Sequence, residues 1–481
     1  MLKYYALFPL IFLSFLNQSI GQTQKQSPNI LFFLIDDIRN TSLGCYGHPI
    51  IQTPNIDKLA NKGTRFTNAF VTTSICAASR ASILTGLYES THGYTFGKPP
   101  IIKKQTDDSF PNQLKKAGFQ TGFVGKWGMK TEVNRKSMFD FFKPISLYPY
   151  FKKINPELEA HPSGICEKHD QDFDPTFIPL PSKLRHVTEV CGDKALQFIQ
   201  QQEADTPFFL QVSFNAVHAQ DSDKENHYMA AKSVDNLYEN IAVMPTPRLD
   251  DSAIYEAMPD FLKKSLNRLR YFWRWDTPGK YQKNMRAYFK MISGVDKVIG
   301  QLVAVLKENG MDKNTIIIIA GDNGYYMGDR GFAGKWSHFE ESLRVPLLIY
   351  DPAQQGGKVE SKMALNIDIP ATILDYAKRS IPESYQGKSL RPLIENKPHK
   401  KWRTSFFVEH RMNHKAIPKW EGIRDKRFVY ANYYEQQPAY EFLYDLEKDP
   451  DQLENLAKNS NYRKVLKKMR KKVKRKEQIY F

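Results

Sequence analysis

Five continuous apolar segments divide the chain, and each has the pattern of a β-strand that is buried on both faces of a sheet. They span residues 29–35, 119–124, 207–214, 315–321 and 345–350. Between them, apolar residues recur three and four positions apart, as in a helix with one buried stripe, most clearly over residues 283–309. This alternation predicts an α/β fold with a large mixed, mostly parallel sheet flanked by helices.

The region after residue 398 has a different pattern and predicts a smaller α+β subdomain over residues 399–481. Its strand-like segments are residues 405–409, 428–433 and 440–446. A last helix, residues 462–476, carries ten lysines and arginines against a narrow stripe of Val465, Met469 and Val473. This pattern indicates a solvated helix on a hydrophobic seam, with polyanion binding as the alternative.

Polar side chains follow four of the five apolar segments. In chain order they are Asp36 and Asp37, Lys126, His218, and Asp322 and Asn323. Ligands of open α/β sheets bind at the carboxyl ends of the strands, so these residues predict one common site. The acidic and amide oxygens are ligands that calcium or magnesium prefers, although aspartates at a strand end also form solvated turns.

Cys76 is a lone cysteine directly before residues 77–84, which favour a helix. The free N–H groups and the macrodipole at a helix N-terminus favour a bound anion. A small buried hydrophobe is the usual alternative for such a cysteine. The chain's other cysteines are too few for a disulfide scaffold, and Cys166 with Cys191 is the candidate pair for a bridge.

The N-terminal residues predict a secretory signal over residues 1–21, because Lys3 precedes an apolar run that ends in small residues. We therefore expect an exported protein, periplasmic or secreted, with no membrane span, since no other segment approaches the necessary length of about 20 apolar residues. The net charge of +17 attracts polyanions without specifying which. Export makes a sulfated polysaccharide a better partner than nucleic acid, and a generic basic surface is the alternative.

Two long segments without periodicity, residues 130–181 and 219–275, are predicted to be loops over the sheet. Loops on a rigid scaffold commonly carry specificity, so we expect substrate contacts there and at His410 and Arg411. The sequence Trp-Arg-Trp at residues 273–275 is a candidate sugar-facing cluster, with core packing as the alternative.

Residues 76–80, Cys-Ala-Ala-Ser-Arg, resemble the signature Cys-x-(Pro/Ala)-x-Arg of the type I sulfatases. The order of the other motifs is also similar to that family: strand–Asp-Asp, Gly-Lys-Trp, strand–His, strand–Asp-Asn, and Gly-Lys-Trp-x-x-x-Glu-Glu-Ser at residues 334–342. The segment 443–456 resembles its C-terminal subdomain. The chain thus resembles the formylglycine-dependent sulfatases of the alkaline phosphatase-like superfamily, exported bacterial carbohydrate sulfatases among them.

The resemblance implies a catalytic domain over residues 22–380 and a set of site residues with roles. A calcium ion would be held by Asp36, Asp37, Asp322, Asn323 and the modified Cys76. A maturation enzyme would oxidise Cys76 to formylglycine (3-oxoalanine), whose hydrate is the nucleophile. Arg80 would hold that hydrate, Lys126 and Lys335 would bind sulfate oxygens, and His218 would protonate the leaving sugar oxygen.

One position departs from the family pattern: Gly128 stands where many members have a histidine that helps to regenerate the aldehyde. His338 is our candidate for the missing base. The implied substrate is a sulfated carbohydrate, either an algal polysaccharide such as ulvan or carrageenan, or a glycosaminoglycan. The alternatives are a phosphoester or phosphonate hydrolase of the same superfamily and a catalytically silent polyanion-binding protein.

Overall fold

The computed structural model describes residues 27–146, 148–153, 184–203, 205–354, 356–398 and 401–480. The predicted signal at residues 1–21 lies outside this part of the chain. Cys191 is a free, buried thiol among the described residues, and its suggested bridging partner Cys166 lies outside them. A transmembrane helix is absent from the described residues, because none of their helices combines the necessary length and hydropathy.

The strands of the larger domain fall into one main sheet and three small pairs. In chain order they are Asn29–Ile35 (β1), Thr64–Phe66 (β2), Ala69–Phe70 (β3), Gln120–Gly125 (β4), Phe141–Pro144 (β5), Phe151–Lys153 (β6), Leu184–His186 (β7), Phe208–Ser213 (β8), Thr315–Gly321 (β9), Tyr326–Met327 (β10), Ala333–Gly334 (β11), Leu347–Tyr350 (β12), Lys358–Glu360 (β13) and Ala364–Leu365 (β14). The C-terminal strands are Ser405–His410 (β15), Trp420–Asp425 (β16), Phe428–Tyr433 (β17) and Tyr440–Asp445 (β18).

The α-helices range from single turns to one helix of 31 residues. They are Pro54–Lys62 (α1), Cys76–Thr85 (α2), Glu89–His92 (α3), Lys103–Asp107 (α4), Phe110–Lys116 (α5), Val187–Gln200 (α6), Ser252–Glu256 (α7), Asp260–Lys263 (α8), Leu266–Arg274 (α9), Pro278–Glu308 (α10), Glu340–Leu343 (α11), Asp368–Tyr376 (α12), Arg391–Ile394 (α13) and Arg463–Tyr480 (α14).

The main sheet has eight strands in the order β13-β2-β12-β9-β1-β8-β4-β5. β1 pairs in parallel with both β8 and β9, and β4 continues the parallel arrangement on the other side of β8. Among these eight described strands, β12 alone runs antiparallel to its neighbours. The predicted mixed, mostly parallel sheet is therefore confirmed.

The apolar strands at the centre of the sheet contribute side chains to a hydrophobic core on each face. In β1, Ile30, Phe32 and Leu34 belong to one core, and Leu31 and Phe33 belong to the other. The first core also contains α2, α5, α12 and the C-terminal sheet, whereas the second contains α1, α6 and α10. Because every residue from Ile30 to Ile35 is buried, the continuous apolar run is explained by helices on both faces.

The C-terminal residues form an antiparallel sheet in the order β15-β16-β17-β18, packed against α14. This arrangement confirms the smaller α+β unit, although the sequence pattern did not predict β16. The short strands β2, β5 and β13 were also missed, and the segment 219–275, predicted as loops, contains α7, α8 and α9. The domain limits at 380 and 399 stay predictions.

We predict that Asp296→Ala lowers the free energy of unfolding by about 1–3 kcal/mol, because it leaves buried N–H donors without an acceptor. The Asp296 carboxylate on α10 accepts hydrogen bonds from the backbone N–H of Ile56 at 2.7 Å and of Asn55 at 3.1 Å, and so caps α1. Chemical denaturation measures the loss, and Lys297→Ala, at an exposed neighbouring position, is the control. Equal stability of the two variants would contradict the capping role.

Candidate active site

The carboxyl ends of β1, β4, β8 and β9 lie beside the N-terminus of α2. Asp36 and Asp37 follow β1 and are both buried. The backbone of Asp37 has a left-handed conformation, with φ at 55°, and its N–H donates to Asp322 Oδ1 at 3.2 Å. The sheet therefore brings together the polar residues that the sequence places after separate strands.

Three buried cations face three buried carboxylates here, and we call these six residues the charge cluster. Its members are Asp36, Asp37, Arg80, Lys126, Asp322 and Lys335. Lys126 Nζ donates to Asp36, and Lys335 Nζ donates to Asp37. Arg80 Nε donates to Asp322 Oδ2 at 2.8 Å. Each carboxylate thus has a cationic partner inside the protein.

The electrostatics of the charge cluster differ from one carboxylate to the next. Burial alone would raise the pKa of Asp36, but Lys126, together with His218, Arg80 and Lys335, outweighs burial and holds the pKa below its usual value. Burial, followed by repulsion from Asp36, raises the pKa of Asp322 to about 6. Burial would lower the pKa of Lys335, but Asp37 raises it above its usual value, so this lysine stays charged.

Three oxygens of the predicted metal set are buried and accept no hydrogen bond from a described residue: Asp36 Oδ1, Asp37 Oδ2 and Asn323 Oδ1. Potential ligand atoms of Asp36, Asp37 and His218 lie within 4.8 Å of one another. Such unpaired buried oxygens carry a free-energy cost that a cation would offset. The residues present therefore fit a hard divalent cation with oxygen ligands.

Cys76 is the first residue of α2, and only 8% of its surface is exposed. The preceding residue, Ile75, has an extended backbone, and its side chain accepts no hydrogen bond from the helix. The first N–H groups of α2 therefore remain available near Cys76. Arg80 follows one turn later on the same side of the helix. It donates from Nη1 to the Lys126 carbonyl and to Ser213 Oγ, both at 2.8 Å, and thereby links α2 to the ends of β4 and β8.

His218 lies in the loop after β8, with its Nε2 3.7 Å from Asp37 Oδ2. Its Nδ1 lies 2.7 Å from both the Tyr148 hydroxyl and the Ala219 carbonyl. Because a carbonyl only accepts, the contact with Ala219 places a proton on Nδ1 and turns Nε2 toward the charge cluster. Burial lowers the pKa of His218 to about 4.

Cys76 and His218 line a cavity of about 1060 Å³, which we call the main cavity. Its basic lining residues are Lys126, Lys130, Arg135, Arg270 and Lys335. Its aromatic lining residues are Tyr94, Phe96, Trp127, Tyr148 and Trp336. A lining that combines cations with rings suits an anionic ligand that also presents flat apolar surface.

Tyr148 and Arg270 line the main cavity and lie in the two segments where substrate contacts were expected, but neither was predicted individually. Arg270 and Arg274 both donate to the Asp221 carboxylate, and the Arg270 guanidinium lies 4.7 Å from the centre of the Trp336 ring. The two arginines are four residues apart on α9, and this spacing could have indicated that they lie on the same side of the helix.

The Trp-Arg-Trp sequence does not line the main cavity, so the sugar-facing expectation is wrong and the core alternative holds for two of its members. Trp275 is buried against Tyr228 and Tyr281, and Arg274 is fully buried. Trp273 instead lies under Lys224, whose Nζ is 3.6 Å from the ring centre.

Three other residues also lie elsewhere than expected. His338 does not line the main cavity: it is buried among the aromatic rings of the C-terminal sheet, with Nδ1 2.9 Å from the Tyr433 hydroxyl. His410 is fully buried in β15, and Arg411 pairs with Glu409. From this subdomain, Met412, His414 and Ile417 line the cavity instead.

Gly128 also lines the main cavity and has a left-handed backbone, with φ at 70°. A Cβ atom at this position would lie 3.4 Å from Arg80 Cδ and 3.6 Å from Lys126 Cε. A histidine at this position, as in the family pattern, would thus contact Arg80 and Lys126, two members of the charge cluster.

Two family models match the chain: that of the sulfatases over residues 28–379, and that of the C-terminal region of N-sulphoglucosamine sulphohydrolase over residues 328–479. An N-acetylglucosamine-6-O-sulfatase of Bacteroides thetaiotaomicron is 28% identical, over 96% of this chain and 88% of its own. An ulvan-active sulfatase of Formosa agariphila is 26% identical, over 90% of this chain and 78% of its own.

The fold is also similar to solved structures. A structure described as a complex with its substrate D-glucosamine-2-N,6-O-disulfate has a TM-score of 0.76 at 25% identity, covering 95% of this chain and 98% of the other. A phosphonate monoester hydrolase from Silicibacter pomeroyi has a TM-score of 0.75 at 21% identity, covering 94% and 96%, and shows the fold alone. Together with the family match, these findings show that the chain belongs to the sulfatase family of the alkaline phosphatase-like superfamily and is a sulfuric ester hydrolase.

Proposed function

We propose that the protein is exported and hydrolyses sulfate esters of a sulfated polysaccharide or its oligosaccharides, either an algal polysaccharide such as ulvan or carrageenan, or a glycosaminoglycan. The observation that carries this proposal is the main cavity, whose lining combines Cys76 at a helix N-terminus with buried lysines and with further basic and aromatic side chains. The names of two relatives, an N-acetylglucosamine-6-O-sulfatase and an ulvan-active sulfatase, support a sulfated glycan.

Two groups complete the proposed site. A calcium ion, which would polarise a sulfate oxygen when bound, would be held by Asp36, Asp37, Asp322 and Asn323, beside residue 76. Formylglycine, produced from Cys76 by a maturation enzyme, would supply a hydrated aldehyde as the nucleophile. The three unpaired oxygens described above support the metal assignment.

Lys126, Lys335 and Arg80 bind and orient the sulfate group. An ammonium group has three donors, so each lysine can keep its aspartate and still donate to a sulfate oxygen. Arg80 Nη2 makes no hydrogen bond with a described residue and lies 3.6 Å from Asp36, inside the charge cluster. Fixed donors in a site of low dielectric stabilise the charge that develops on the oxygens as the ester bond breaks.

His218 acts as the general acid. With Nδ1 protonated against the Ala219 carbonyl, it takes this role as the imidazolium, a form that the bound anionic ester favours. It then delivers its Nε2 proton to the sugar oxygen as the bond between that oxygen and sulfur breaks, so that the sugar leaves as an alcohol. The contacts of Nδ1 with Tyr148 and Ala219 fix the orientation of the ring for this transfer. Tyr148 is therefore a positioning residue.

We expect the purified protein to release sulfate from defined sulfated oligosaccharides and to prefer an aryl sulfate to the matching aryl phosphate. Cys76→Ala should remove turnover while a sulfated oligosaccharide still binds, whereas Cys45→Ala, at a partly buried cysteine outside the cavity, should keep activity. Initial rates and binding isotherms measure both. A clear phosphate preference would favour the phosphoester hydrolase alternative, and full activity of Cys76→Ala would refute the nucleophile.

Replacing His218 should affect poor leaving groups more than good ones. We predict that His218→Gln lowers kcat on a sugar sulfate by about 10²–10⁴-fold, the usual contribution of general acid catalysis, and lowers kcat much less on a nitrophenyl sulfate, which needs no proton. Tyr148→Phe should give a smaller loss of the same kind. Equal losses on both substrates would show that His218 does not protonate the leaving oxygen.

Removal of calcium should lower both activity and the thermal midpoint, because a ligand that binds only the folded state stabilises it. Dialysis against a chelator followed by re-addition of calcium measures this effect by calorimetry, independently of turnover. In Asp37→Asn the calcium-dependent shift of the midpoint should shrink. An unchanged midpoint in the wild-type protein, with or without calcium, would argue against the metal site.

A further inference from the structure

A second cavity lies at one edge of the main sheet, just after β13 and just before β15, and we call it the edge cavity. Its volume is about 360 Å³, and it shares no lining residue with the main cavity. One ring and four cations dominate its lining: Trp402, Lys362, Arg403, Arg424 and Lys426. Nothing in the proposed reaction uses this concentration of positive charge.

The edge cavity combines a rigid inner surface with two adaptable lysines. Trp402 Nε1 donates to the Met363 carbonyl at 2.8 Å, and the guanidinium of Arg403 donates through both terminal nitrogens to Asp368. By contrast, Lys426 is exposed and forms no ion pair with a described carboxylate, and the only such contact of Lys362, with Glu360, is 3.7 Å long. Arg424 pairs with Glu340 at 3.1 Å. The ring and the two arginines are therefore held in place, while the lysines can reach a ligand.

The basic surface continues from the edge cavity onto α14. Lys472 Nζ on α14 lies 2.7 Å from Asp425 Oδ2, next to Lys426. Leu466, Met469 and Val473 bury the apolar stripe of the helix in the core. The residues of its opposite side are exposed and form no ion pair with a described carboxylate; we call them the basic face: Lys464, Lys467, Lys468, Lys471, Lys474 and Arg475.

Charge repulsion within the basic face lowers the stability of α14. Lysines three and four residues apart repel one another, and each such pair lowers the stability of the helix. The helix macrodipole favours cations only near the C-terminus, whereas Lys464 and Lys467 lie in the first turns of α14. Binding of a ligand with repeated negative charges would remove this repulsion.

We propose that the edge cavity and the basic face together form an auxiliary binding surface for a chain of sulfated polysaccharide, separate from the site of hydrolysis. This inference rests on the proposed function, which supplies the class of ligand. The Trp402 ring offers a flat apolar contact for a sugar ring, and the exposed lysines and Arg475 pair with sulfate or carboxylate groups along the chain. The apolar side of α14 is buried, so the helix has no free face to insert into a lipid bilayer.

The test compares two full-length variants with equal loss of charge. Lys362, Lys426, Lys467 and Lys471 are replaced together by glutamine in the first. The control replaces four exposed lysines elsewhere by glutamine: Lys58, Lys62, Lys297 and Lys307. Binding of fluorescent heparin is measured by anisotropy at several salt concentrations, and KM is measured on a sulfated polysaccharide and on an aryl sulfate.

We expect the first variant to bind heparin about tenfold more weakly at low salt, since each exposed pair contributes modestly and several act together. Its KM on the polysaccharide should rise by a similar factor, its kinetics on the aryl sulfate should stay unchanged, and the control should change each value less than about twofold. Trp402→Ala should also raise KM on the polysaccharide only, with Trp402→Phe retaining most of the wild-type value.

Equal weakening in the two glutamine variants would overturn the proposal, because it would show a response to net charge alone. Unchanged heparin binding in the first variant would overturn it too, as would equally tight binding of DNA or of anionic vesicles through the same lysines. A protein that binds heparin through these lysines but releases sulfate from no glycan would refute the proposed function and support the auxiliary surface.

Discussion

The balance of charge at the carboxyl ends of the central strands is the constraint on which the rest of the structure depends. Three carboxylates and three cations are buried there, and a buried charge that lost its partner would cost several kcal/mol. Arg80 is central because it contacts Asp322 directly and also donates to the ends of β4 and β8. The arginine that neutralises a buried carboxylate therefore also fixes α2, and with it Cys76, relative to the sheet.

Much of this site could be predicted from the sequence, because its signals are local. A continuous apolar run identifies a central strand such as β1, and the polar residue that ends the run marks the edge where ligands bind. Asp36, Lys126 and Asp322 were found in this way, and the structure brings them together. The fold class followed from the same alternation of strands and helices.

The contacts that were missed or misplaced depend on pairing between distant segments. Tyr148 reaches His218 from a loop 70 residues earlier, and no local pattern indicates that contact. His410 was expected to contact the substrate, but its position in β15 turns the side chain into the protein. His338 is buried for a similar reason, since the C-terminal sheet surrounds it with aromatic rings. Burial of this kind is decided by the tertiary structure.

The charge cluster also explains how such a site can favour an anionic ester. Its three carboxylates and three cations give the cluster a formal charge of zero, so the protein can fold without a large unbalanced charge in its core. The proposed calcium ion would change this sum to +2, in a buried environment where charges interact strongly. A sulfate ester, which carries one negative charge, would lower this sum to +1, and its oxygens would meet donors that are already in place. The polypeptide supplies a neutral, preorganised site, and the proposed metal would make that site selective for an anion.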